Sequence, residues 1–137
     1  MAGEVKTRKR SAVGVGVVLT SAVMVLGGAT SSWAGTTVTA KTTDDNPGGY
    51  ATFLHNGNTF KVTDMQKDGL RASGYIKFNG KTHRLDDANG AKTLSSAGSV
   101  TRHYSMKEGT YVQIRVCLRD GANGRARFCS AWKSALA

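Results

Sequence analysis

Proline occurs once in the 137 residues, at Pro47, cysteine twice, at Cys117 and Cys129, and glutamate twice, at Glu4 and Glu108. Each scarcity narrows the function. A secreted ribonuclease needs a Glu or His base, a His acid and a phosphate-binding Arg, yet Glu108 sits inside the turn signal Lys107-Glu108-Gly109. The three histidines, His55, His83 and His103, fall on separate strand-like runs with no H-x-H or H-x₃-H spacing, so no zinc set is indicated. Asp64, Asp68-Gly69 and Asp86-Asp87 follow no calcium-loop pattern and read as turn chemistry, in which Asp bonds its own backbone. Predicted exposed aromatics, Tyr50, Tyr75 and Tyr111, do not cluster on one basic strand, which argues against a nucleic-acid surface built on stacking. No catalytic residue, cofactor or metal is expected.

Helical periodicity is also missing. After residue 34 no window longer than two helical turns keeps an apolar period of 3.6, whereas runs of Val, Ile, Thr, Tyr and Phe alternate with Asn-Gly, Asp-Gly and Glu-Gly signals. The pattern predicts an all-β fold, a small antiparallel sandwich or barrel of about seven or eight strands. Seven strands are expected at 50–55, 58–63, 70–78, 81–86, 99–105, 110–119 and 125–133, with an eighth possible at 92–97.

What is present begins with an export signal. A basic patch (Lys6, Arg8, Lys9, Arg10) precedes the apolar stretch Ala12 to Leu26 and the small-residue site Ser32-Trp33-Ala34, the build of a secretory signal peptide. Residues 1–34 are expected to be removed, with a cut after Ala29 as the alternative. Gly14, Gly16, Thr20 and Ser21 dilute the stretch as a membrane span. Arg8 and Arg10 are split by Lys9, so the twin-arginine route is not indicated. The product is expected to be extracellular, with no membrane attachment after cleavage. What remains is one domain's worth of chain, residues 50–137, preceded by a polar, threonine-rich segment at 35–49 that reads as a flexible arm.

Net charge is +10, which favours acidic partners. An even cysteine count in an exported chain fits one intramolecular bridge, Cys117 to Cys129.

Hairpin arithmetic tests the register, because residues paired across a tight turn share a face. About Asn56-Gly57, Phe53 meets Phe60 and Ala51 meets Val62; about Asn79-Gly80, Ile76 meets His83 and Gly74 meets Leu85, leaving Tyr75, Lys77, Thr82 and Arg84 outside. If Cys117 faces Cys129, then Val116 meets Ser130, Leu118 meets Phe128 and Ile114 meets Trp132. Phe128 and Trp132 then join the apolar face of Val112, Ile114, Val116 and Leu118. The bridge shares the other face with Arg115, Arg119, Arg127 and Lys133. Closing so short a loop contributes roughly 3 kcal/mol in the chain-entropy account, enough to hold together strands whose like charges repel. That basic face is either a solvated surface or a docking surface.

The signal, the threonine-rich arm, "GYATFLHNGNTFKVTDMQKDGLRASGYIKFNGK" with its V-x-D-x-x-x-D-G element, and the closing "YVQIRVCLRD…FCSAW" resemble small secreted β-domain proteins of actinobacteria such as streptomycetes. Among these the chain is most similar to the adaptor subunits of umbrella toxin particles. The resemblance, over residues 49–133, implies a non-enzymatic adaptor joining a lectin-bearing subunit to a repeat-containing toxin polypeptide. It also implies that the arm, Thr36, Thr37, Val38, Thr39, Ala40, Lys41, Thr42 and Thr43, enters a cleft of the lectin-bearing partner, where an extended segment can add as a strand. Two other classes stay open: a free-standing basic module for cell wall or another anionic polymer, and a small secreted hydrolase or nuclease.

Overall fold

A computed structural model describes residues 34–88 and 98–137. The expected signal peptide, apart from Ala34, and the candidate strand at 92–97 lie outside the described residues.

The described residues form eight strands: β1 (Val38–Lys41), β2 (Gly49–Leu54), β3 (Thr59–Asp64), β4 (Arg71–Phe78), β5 (Lys81–Asp87), β6 (Val100–His103), β7 (Tyr111–Arg119) and β8 (Lys133–Leu136). They make two four-stranded antiparallel sheets, ordered β1-β2-β3-β6 and β5-β4-β7-β8. The fold is an all-β sandwich rather than a closed barrel.

The first two hairpins have the register that alternation dictates. Phe53 pairs with Phe60 and Ala51 with Val62, around a turn closed by the Asn58 N–H donating to the His55 carbonyl at 3.1 Å. Ile76 pairs with His83 and Gly74 with Leu85. At that second turn Asn79 and Gly80 both have positive φ, 49° and 77°, as a two-residue turn matched to strand twist requires. Alternation then sends Ala51, Phe53, Phe60 and Val62 of the first sheet against Ala72, Ile76, Val112, Ile114 and Val116 of the second, all fully buried. Gly74 lies beneath the contact. An added Cβ there would overlap Val62 and Phe60, so the glycine is what lets the two sheets close.

The segment expected as a flexible arm is part of the fold. β1 runs antiparallel to β2 with Ala40 opposite Ala51, and Ala40 is fully buried. The Thr36 N–H donates to the Leu136 carbonyl at 2.9 Å, and the Thr43 N–H to the Phe128 carbonyl at 3.0 Å. Buried Thr42 accepts the Gly49 N–H on its hydroxyl at 3.1 Å. Threonine-rich composition suggested disorder, but threonine is β-branched and Val38, Ala40 and Thr42 alternate inward, which is a strand pattern. The domain therefore starts ahead of residue 50, and β1 supplies the eighth strand.

The third hairpin holds its expected register only at its middle. Ser130 donates its N–H to the Val116 carbonyl at 2.9 Å, and Cys117 is bonded to Cys129. At one end, however, Leu118 pairs with Arg127 and not Phe128; at the other, Ile114 pairs with Lys133 and not Trp132. Four residue steps on β7 thus face six on the returning chain. The strand expected at 125–133 is irregular up to Lys133, and Phe128 turns through a left-handed conformation, φ 53°, that leaves it exposed. A slip of one residue moves a side chain to the other face, so neither Phe128 nor Trp132 enters the core.

A candidate docking face on the second sheet

β4 and β7 are the central strands of the second sheet, with Tyr75 opposite Arg115, Lys77 opposite Gln113 and Arg71 opposite Arg119. These positions alternate with the buried Ala72, Ile76, Ile114, Val116 and Leu118. Tyr75, Lys77, Arg115 and Arg119 therefore share the side facing away from the core.

Trp132 joins them from the returning chain. The Arg115 guanidinium lies 5.0 Å from the Trp132 ring and 5.4 Å from the Tyr75 ring, and the Lys77 Nζ is 4.5 Å from the Trp132 ring. Cations at such distances are attracted by the ring quadrupole, by about 0.5–2 kcal/mol each depending on desolvation. Arg119 donates from Nε and Nη2 to the Tyr75 hydroxyl at 3.0 and 2.5 Å, and from Nη1 to the Gly124 carbonyl. Arg84 donates from Nη2 to the Ala122 carbonyl at 2.8 Å. Two arginines thus pin the chain that follows β7, and the disulfide anchors it again at Cys129.

This arrangement explains a covalent clamp amid so much positive charge. Cys117 is fully buried yet sits on β7 between the inward-facing Val116 and Leu118, on the outer side of the sheet. The bridge brings the returning chain back across the face three residues before Trp132, delivering an aromatic ring to the cations. The expectation that the clamp lies off the sandwich core stands, and Cys117 is buried there all the same.

The four basic residues read as one face divide into two pairs. Arg115 and Arg119 are together. Arg127 and Lys133 are exposed, but they pair with Leu118 and Ile114, whose side chains point to the core side. One extra residue of the returning chain on either side of Ser130 reverses the parity of each, and the same slip hid Trp132. Tyr75 and Lys77 were readable as outward-facing from the Asn79-Gly80 hairpin. Of the arm residues, Thr36, Thr37, Thr39, Lys41 and Thr43 are exposed, Val38 is half-buried, and Ala40 and Thr42 are buried.

Acidic groups are few here. Asp86 is shared by Arg84, at 2.8 and 2.6 Å, and Arg71, at 3.4 Å. Burial works to raise its carboxyl, but hydrogen bonds and charge, chiefly from Arg84, outweigh it and hold the carboxyl below the usual range. The other acidic sites behave as turn formers. Asp68 accepts the Leu70 N–H at 3.0 Å, and Asp64 the Gln66 N–H at 3.1 Å. Buried Asp64 donates its own N–H to the Asp87 carboxylate at 2.8 Å, and burial pushes its carboxyl up to about 6, with Asp68 and Asp87 adding repulsion. It borders a cleft of about 400 Å³, lined also by Lys67, Arg71 and Asp120.

Each histidine is engaged by a local partner. His55 bonds the Thr37 hydroxyl at 3.1 Å, His103 bonds Thr59 at 2.8 Å, and His83 stacks on Phe78 at 5.2 Å. Among the described residues, no three or more His, Cys, Asp or Glu side chains are grouped so as to hold a metal ion.

No family model, curated protein or solved structure matches the chain.

Proposed function

We propose that the protein is a secreted, non-enzymatic adaptor that joins other proteins, with the outer face of the second sheet as its docking surface. The observation that carries this reading is the cluster of Tyr75, Lys77, Arg115, Arg119 and Trp132 on one side of two central strands. Aromatic residues and arginine are the types enriched where proteins meet. The disulfide supports an oxidising, extracellular setting. Partners of the kind the resemblance implies are a lectin-bearing subunit and a toxin polypeptide. Insertion of a free arm made of Thr36 to Thr43 is not part of the proposal, because that segment is held by β2, Leu136 and Phe128.

The exposed Arg127 and Lys133, off that face, favour a second reading, a module for anionic wall polymer that binds by charge spread over the surface. Purification from culture fluid separates the two. An adaptor co-elutes with much larger proteins on size exclusion. A polymer binder elutes alone and is retained on wall material until salt is raised, and that result would overturn the adaptor reading.

A further inference from the structure

We propose that Arg115 is a carboxylate-reading anchor, which takes an Asp or Glu side chain from an acidic protein segment laid across β4 and β7. The proposal rests on the docking reading above and names the chemistry of the partner.

The cations of this face differ in what they already hold. Arg84 and Arg71 share Asp86, and Arg119 is used by the Tyr75 hydroxyl and the Gly124 carbonyl. Arg115 has two rings and no oxygen. Its Nε is buried without a hydrogen-bond partner, and its guanidinium is flanked by Tyr75 and Trp132. An unpaired buried donor costs about 1–3 kcal/mol, more when charged, so the site is incomplete until an acceptor arrives. The flanking rings have already restricted the side chain, which lowers the entropy lost when a ligand binds. Lys77 beside Trp132 adds attraction for the same negative charge.

Shape selects among anions. A guanidinium offers parallel donors in one plane and a carboxylate offers two oxygens in one plane, a match that an ammonium cannot make. Strand β5, next to β4, displays that match: Arg84 grips Asp86 through Nε and Nη2 at 2.8 and 2.6 Å. With a ring on either side of Arg115, a flat carboxylate on a flexible stem fits the approach better than a tetrahedral phosphate diester carrying chain on two sides.

The test titrates the full chain with poly-L-glutamate and, separately, with sodium polyphosphate at equal charge, following the Arg Nε–H and Trp indole resonances. Poly-L-glutamate is expected to shift Arg115 and Trp132 first, and Arg115→Lys, which keeps the charge, to weaken it about tenfold. Trp132→Leu, as a second variant, should weaken it by about threefold. Retained strand amide resonances establish that each variant is folded. Unchanged affinity in Arg115→Lys, absence of poly-L-glutamate binding, or polyphosphate binding as tightly through Arg115 would each overturn the anchor. The adaptor reading fails separately. If Arg115→Lys loses the glutamate polymer yet still co-elutes with large proteins, the adaptor stands and the anchor is not its contact; if the polymer binds at Arg115 but the native protein elutes alone, the reverse holds.

Discussion

On the outer face of the first sheet the hydroxyls satisfy one another, with Thr39 bonded to Thr52 at 2.9 Å and Thr63 to Ser99 at 2.5 Å, while His55 and His103 are taken up by Thr37 and Thr59. On the outer face of the second sheet, rings and cations interleave, and one guanidinium nitrogen is buried with nothing to donate to. The two faces flank a common core and are made by the same pleat. Their difference is in completeness. Hydroxyls that are already paired gain little from a partner, whereas a buried donor with no acceptor gains more. The sandwich thus has one side on which hydroxyls pair among themselves and one side on which a buried donor is left without an acceptor.

Removing β1 is the largest blow to that comparison. Deletion of residues 35–43 takes away buried Ala40 and Thr42, the edge pairing to β2, and the bonds to Leu136 and Phe128. Loss of cooperative urea unfolding is expected, because these contacts are comparable with the ~5 kcal/mol at the low end of domain stability. A deletion variant that melts like the parent would show that the first sheet stands without its edge.

Opening the clamp comes next. Replacing Cys117 and Cys129 together by Ser should cost about 3 kcal/mol in urea melts, with the first sheet's amide resonances retained. The specific sign is at Trp132, since the chain that carries it is no longer bridged to β7. Its fluorescence should move toward that of a solvated indole. A fluorescence spectrum unchanged in the folded double variant would mean that Arg115, Lys77 and Arg119 hold the returning chain unaided.

Asp64 sets a smaller, pH-dependent effect, away from both outer faces. Its carboxyl is raised to about 6 in the folded protein by burial first and by Asp68 and Asp87 after it, against about 4 in an unfolded chain. The folded state then binds more protons between these values. Stability should therefore fall as pH rises from about 4 to about 6 and level off above. Asp64→Asn, which keeps an acceptor for the Gln66 N–H, should flatten this window and stabilise at pH 7 by on the order of 1–2 kcal/mol. Urea midpoints measured at unit pH intervals check it, and a parent whose stability rises across that window would contradict it.

The sequence was most legible where turn chemistry and alternation agree. Asn56-Gly57 and Asn79-Gly80 fix two registers outright, and Phe53, Phe60, Val62 and Ile76 follow into the core. The threonine-rich segment misled because composition was weighed above alternation at Val38, Ala40 and Thr42. The clamped hairpin misled for another reason. A register propagated from Cys117 and Cys129 assumes a regular returning strand, and a left-handed Phe128 is no position that residue type announces. Four of the five residues of the candidate face, Tyr75, Lys77, Arg115 and Arg119, were readable as outward-facing. Trp132, which completes it, was not, because one additional residue between Ser130 and Lys133 decides its side.

One charge removed from each sheet tests the account most directly. Lys77 lies on the second sheet's outer face against Trp132, and Lys61 on the first sheet's outer face opposite Thr52. Lys77→Gln and Lys61→Gln lower the net charge equally. Affinity for poly-L-glutamate should fall about threefold in Lys77→Gln, through loss of a charge beside the anchor, and remain within error of the parent in Lys61→Gln. Equal losses in the two variants would mean that binding follows net charge and not the face, and would contradict the division of labour between the sheets.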